Sequence, residues 1–147
     1  GITRHTNIPN RWIDQGAVSG LIIARVPERI ISGKIEIALA EHFADKTNWR
    51  KMLKGGVDEV DLLALRDKAH ELLPESLKGY AVNDGVLQEL VYPVESVPEK
   101  ITSHNLDKIP EFTDRLTGIK GQYLIFETRV INMRKYAGYH IEFGFNY

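Results

Sequence analysis

The chain has 147 residues, 43% of them hydrophobic and 27% charged, with a formal net charge of -1. Such a balance suits one globular domain, or two very small ones, and excludes a disordered chain. No apolar run approaches the roughly 20 residues of a bilayer-crossing helix, and zero Cys excludes, within these residues, a disulfide framework, a thiolate metal site and cysteine nucleophilic chemistry.

Nothing at the start has the charged-then-apolar form of a signal peptide, so a soluble cytoplasmic protein is expected. Gly1 stands in place of an initiator Met, and Gly1-Ile2-Thr3-Arg4 begins as though a strand had been cut through, so the sequence reads as a piece of a longer chain. Its charge is uneven: nine Lys/Arg against five acids up to Gly56 give +4, and the remainder carries -5. The basic first third is where a polyanion would be sought first.

In chain order, residues 11–17 read as a short helix entered through Pro9 and Asn10, with Gly16 near its end. Residues 21–26 read as a buried strand closed by Pro27. Over residues 28–44, Ile31, Ile35, Ala38, Leu39, His42 and Phe43 recur at helical spacing, which predicts an amphipathic helix on that strand. His42 falls inside its apolar stripe and reads as a core histidine; Glu36 falls on the stripe's border, a half-shielded place for a carboxylate. Asn48 and Trp49 open a short helix ending at Gly55-Gly56, with the indole as its anchor. Asp58 and Asp61 cap a second long helix whose face is Leu62, Leu65, Ala69, Leu72 and Leu73, and which Pro74 stops. Residues 75–85 read as a loop with an Asn83-Asp84-Gly85 turn.

Beyond Gly85 the period becomes that of strands: 86–94, 101–106, 121–127, 130–134 and 139–143, with tight turns at Thr128-Arg129 and Ala137-Gly138. The glycines of 118–121 lack the strand-loop-helix setting of a phosphate loop and read as a bend between strands. There is no repeat and no low-complexity segment. The expected class is α+β: a strand-helix unit over 1–56, a connecting helix and loop over 57–84, and an antiparallel β section over 85–147.

The opening GITRHTNIPNRWIDQGA, with GKIEIALAEHFADKTNWRKML after it, resembles the second half of a GIY-YIG-type domain. More closely, RWIDQGA, ADKTNWRKML, NLDK at 105–108, GIKGQYLIF and VINMRKYAGY make almost the whole chain resemble a bacterial family catalogued as domain of unknown function 2797. The resemblance implies a truncated GIY-YIG-like unit, lacking a Cys-rich, zinc-binding segment that longer members carry upstream. It places Gly1 on the Gly of the superfamily's second motif, Arg11 on its Arg and Glu36 on its metal-binding Glu. The tyrosines that help activate the attacking water or hydroxyl in nucleases of that superfamily have no counterpart in this sequence.

In that setting Glu36 would hold Mg²⁺ or Mn²⁺ with several waters, and Arg11 would grip a phosphate bidentately. His5 would carry a proton near neutral pH and Gln15 would position a water. Arg4, Arg50, Lys120 and Arg134 are the expected nucleic-acid contacts, the last two with Arg129, Lys135, Tyr123, Tyr136 and Tyr139 on a strand platform where bases could stack. Each has a plainer reading: Arg11 covering Trp12 or pairing with Asp14 or Glu36, Glu36 as a routine helix acid, and the platform as a solvated sheet face. The five His are scattered without a metal-ligand spacing. The leading expectation is a nucleic-acid-binding GIY-YIG-like domain with degenerate or divergent metal-dependent phosphodiesterase activity. The alternatives are a non-catalytic small-anion or protein-binding module, and the folded body of a larger protein whose Cys-rich segment acts.

Overall fold

The structure, a computed structural model, describes residues 1–44, 46–55 and 60–146. Helices combine with antiparallel sheets, so the fold is α+β. The chain divides into two compact units, Gly1–Val91 and Tyr92–Tyr147. No helix among the described residues is long and apolar enough to cross a membrane.

The first unit contains α1 (Asn10–Asp14), α2 (Arg29–Ala40), α3 (Trp49–Lys54), α4 (Leu62–Leu72) and α5 (Glu75–Lys78), with a two-stranded sheet of β1 (Ser19–Gly20) and β2 (Gln88–Glu89). Its core joins Ile35 and Leu39 of α2 to Ala69 of α4, Leu73 and Leu77, with Ile23, Val26 and Phe43 packed against them. The residues after α3, expected as a connecting segment, therefore share one core with α2. Asn48 caps α3 by accepting from the Arg50 and Lys51 amides at 3.1 and 3.2 Å, and Asp61 does the same for α4 from Leu63 and Ala64 at 3.0 Å. Asp58, expected beside Asp61, lies outside the described residues. Gly55 ends α3 in the left-handed conformation, as a helix stop requires.

Three expectations for this unit are corrected. Residues 21–26 are half-buried or exposed and form a single bridge, Ala24 to Ala81, rather than a buried strand. The pairing is short: α5 ends at Lys78, three residues before Ala81, the chain bends at Asn83, and a Cβ on Gly85 would stand 2.6 Å from the Ile22 carbonyl oxygen. The expected loop over 75–85 begins instead with α5, entered through Pro74. His42 is exposed: α2 stops at Ala40, and the turn that follows carries residue 42 off the apolar stripe.

The second unit is a three-stranded antiparallel sheet, β3 (Leu116–Lys120), β4 (Tyr123–Phe126) and β5 (Val130–Asn132), in that order. Gly121, with φ +59°, makes the turn between β3 and β4. Gly118 lets the chain at Val94 approach β3: a Cβ there would sit 3.0 Å from three Val94 atoms. The sheet's flanks are occupied by Val94, bridged to Gly118, and by Ser103, bridged in parallel to Val130. Of the five expected strands, 130–134 is cut short because Asn132 Oδ1 accepts from the Arg134 amide at 3.0 Å and starts a 3₁₀ turn over Met133–Tyr136. The expected strand over 139–143 forms no ladder, β2 pairs with β1 of the first unit instead of opening this sheet, and β3 had not been anticipated.

The NLDK and MRKYAGY stretches meet here. The Leu106 amide donates to Tyr136 Oη at 3.0 Å, Tyr136 donates to the His104 carbonyl at 3.3 Å, and Tyr139 donates to Asp107 Oδ1 at 2.7 Å. Beside them Asp114, its side chain 7% exposed, accepts from Thr128 Oγ1 at 2.6 Å and lies 3.3 Å from Arg129 Nε. Arg129 also reaches His104 Nδ1 at 3.3 Å and covers the Phe112 ring. These motifs are thus explained as a structural latch.

Ile125 and Val130 are 0% exposed, so Ile125→Ala is expected to cost about 2–5 kcal/mol of the second unit's stability, read as a lower urea midpoint. Val91→Ala, at 94% exposure, should stay within about 0.5 kcal/mol of the parent. Burial pushes the Asp114 carboxyl up, but hydrogen bonds from Thr128 and Arg115 and the Arg129 charge more than offset this and hold it below its ordinary 3.8. Its contribution is therefore complete above that value and disappears as the pH falls through the lowered one. Urea midpoints measured from about pH 5 to pH 2.5 should decline less steeply in Asp114→Asn than in the parent.

Candidate functional site

The first unit contains a groove of about 1000 Å³, walled by the opening residues, the segment from β1 to the start of α2, and the facing sides of α2 and α4. Its floor is apolar, including Ile22, Ile35 and Leu39, while Arg4, His5, Arg25, Arg29 and Arg66 bring cationic or titratable groups to it. The acids Glu28 and Glu36 also line it.

Local sequence sets each of these side chains. Arg4 precedes a 3₁₀ turn over His5–Asn7 whose last amide donates back to the Arg4 carbonyl at 2.9 Å, so Arg4 and His5 project from the rim as exposed residues. Pro27 and the extended Glu28 end the preceding segment, and Arg29 begins α2. On α2, Glu36 follows the core residue Ile35 by about 100° of helix rotation, which turns it from the core towards the groove. Its side chain is 46% exposed, and its Oε1 lies 3.9 Å from the Gly1 nitrogen.

Two of the four arginines are engaged. Arg25 Nη1 donates to both carboxylate oxygens of Asp84 at 2.6 Å, and Arg66 pairs with Asp67 at 2.8 Å. The guanidinium groups of Arg4 and Arg29 make no hydrogen bond or ion pair among the described residues. The indole of Trp12, on α1, also lines the groove and lies flat against the chain at Gly20, where a Cβ would stand 2.4 to 2.6 Å from three indole atoms.

The expected site residues are therefore only partly assembled. Glu36, His5 and Arg4 share the groove; Arg11 and Gln15, both on or just after α1, do not line it. Arg50 lies on α3 with its guanidinium 4.3 Å from the Trp49 ring centroid. Lys120 and Arg134 belong to the second unit. Lys120 is corrected as a surface contact: it is 6% exposed, its ammonium sits 5.5 Å from the Tyr92 ring centroid, and burial pushes its pKa down and that of Tyr92 up. On β3 Lys120 shares a face with the buried Gly118, two residues before it, which turns Lys120 inward. Arg134 is exposed on the 3₁₀ turn rather than on a strand.

Arg25, Arg29, Arg66 and Trp12 were missed as groove residues. Arg29 carried a weak signal, as a basic residue at a helix start, where the helix dipole disfavours cations; the others carried none, because their neighbours in space are far away in sequence. As a metal site the donor set is sparse: among the described residues no group of three or more His, Cys, Asp or Glu could hold an ion. A carboxylate such as Glu36 suits only a hard cation completed by waters and a ligand's own phosphates.

The model of the family described as "Protein of unknown function (DUF2797)" matches residues 1–141. The chain belongs to that family. No curated protein and no solved structure matches the chain. In this member of DUF2797 the groove and its arginines are what the chain's own geometry offers for function.

Because Gly20 leaves no room for a Cβ under Trp12, Gly20→Ala should push the indole off its seat. Tryptophan emission in a Trp49→Phe background, where Trp12 is the remaining Trp, should then shift to the red and become more accessible to iodide quenching.

Proposed function

We propose that the groove of the first unit binds the phosphate backbone of a nucleic acid, and that residues 1–56 are a divergent GIY-YIG-like half-domain adapted to that use. The observation that carries this reading is the pair of guanidinium groups, Arg4 and Arg29, facing an open apolar-floored groove with no partner among the described residues. Guanidinium presents a planar fork of donors that matches phosphate oxygens. The exposed His5 adds a donor on the same rim, and the +4 balance of the first third favours approach of a polyanion.

Phosphodiester cleavage is the narrower form of this reading. It assigns Glu36 the role of carboxylate for Mg²⁺ or Mn²⁺, which would neutralise phosphate charge there, and His5 that of proton carrier. The placement of Arg11 and Gln15 away from the groove favours a second reading, a degenerate domain that holds its ligand without cleaving it.

Fluorescence polarisation with a labelled oligonucleotide pool distinguishes these. Binding should weaken steeply between about 50 and 200 mM salt. Removing two phosphate contacts in Arg4→Ala/Arg29→Ala should cost about tenfold or more in affinity and reduce the slope of log K against log salt by about 1.4 to 1.8. Arg50→Ala should leave both unchanged. Salt-independent binding, or none, would sink the proposal. Mg²⁺- or Mn²⁺-dependent cleavage lost in Glu36→Ala would establish the enzyme; binding without cleavage would establish the degenerate form.

A further inference from the structure

We infer that the groove takes an unpaired strand rather than a duplex, with a base held against the indole of Trp12. This rests on the reading of the groove as a nucleic-acid site and specifies which form of nucleic acid it accepts.

The make-up of the floor separates the two forms of nucleic acid. Arg4, His5 and Arg29 supply cationic or hydrogen-bonding groups at the rim, but the partly exposed Leu21, Ile22 and Phe43 and the ring face of Trp12 offer nothing to a phosphate. A duplex turns its charged backbones outward and keeps its base faces stacked inside. Seated here it would meet the rim arginines and leave the apolar floor wet, or desolvate phosphate oxygens against carbon at considerable cost. An unpaired strand has both surfaces to offer at once: phosphates for the arginines and base faces for the floor, and stacking on an aromatic ring is tolerant of base identity.

Size points the same way. A space of about 1000 Å³ is at the top of the range for small-ligand sites, too large for a single inorganic anion to fill. Trp12 is also held for stacking, since the indole rests against the Gly20 backbone. The engaged pairs, Arg25 with Asp84 and Arg66 with Asp67, put carboxylates beside two of the groove's four arginines. The guanidinium groups left without a partner among the described residues are those of Arg4 and Arg29, and two such groups beside the lining acids Glu28 and Glu36 suit one backbone better than two.

The test uses the full chain carrying Trp49→Phe, so that emission reports Trp12, titrated with a short single-stranded oligonucleotide and with the duplex of the same sequence. The single strand is expected to quench Trp12 emission and to bind at least about tenfold more tightly than the duplex. Trp12→Leu should weaken the single strand about fivefold or more, the lower end of what one stacked base contributes, while Trp12→Tyr, which keeps an aromatic face and guards against a mere folding defect, should restore most of it. Duplex binding as tight as single-strand binding would overturn this inference and leave the groove's nucleic-acid role standing. Single-strand binding with unchanged Trp12 emission would overturn the stacking assignment. Failure of both nucleic acids to bind would overturn the underlying reading together with it.

Discussion

The packing of Ile35 and Leu39 against Ala69 and Leu73 is the constraint on which the first unit depends. Two apolar residues four apart on a 12-residue helix leave α2 little rotational freedom, because turning it by one residue would bring Glu36 into the core and expose Ile35. Once that rotation is set, Arg29 and Glu36 reach the groove about two turns apart on the same helix, and α4 lines it with Leu65 and Arg66. The site is thus a by-product of core packing, with its polar groups supplied by the margins of apolar stripes.

The same packing leaves the groove amphipathic. A unit of this size has few residues with which to cover its own floor, and Ile23, Val26 and Phe43 remain only partly buried. Apolar surface below and guanidinium groups above form a combination that neither a purely ionic nor a purely hydrophobic ligand would satisfy. At the rim Arg4, His5 and Arg29 are exposed and their side chains make no hydrogen bond or ion pair among the described residues, whereas in the second unit Asp114, Arg129, His104 and Thr128 partner one another and Lys120 is buried.

Legibility from sequence followed the range of the interaction responsible. The helices α2, α3 and α4 were readable because their apolar stripes, the Asn48 and Asp61 caps and Gly55 act within a few residues of one another. The hairpin of β4 and β5 was readable for the same reason. The strands were misjudged where pairing partners are distant: alternation in 86–94 predicts a strand there, yet only Gln88 and Glu89 form one, and their partners are Ser19 and Gly20. Residues 139–143 alternate convincingly and still lack a ladder, since alternation describes a chain's readiness to pair and says nothing about a free edge. His42 shows the limit of helical periodicity, which places residues on a face but does not say where the helix ends.

By itself the sequence determined the α+β class, the membership of the chain in its family, the principal helices and the candidacy of Arg4, His5 and Glu36, because composition, periodicity, capping and motif strings are local properties. Only the tertiary structure decided that these three share a groove while Arg11 and Gln15 do not, that Arg29 and Trp12 join them, and that Lys120 is buried. Which side chains converge depends on the rotation of packed helices and the register of paired strands, and both are set by contacts between residues far apart along the chain.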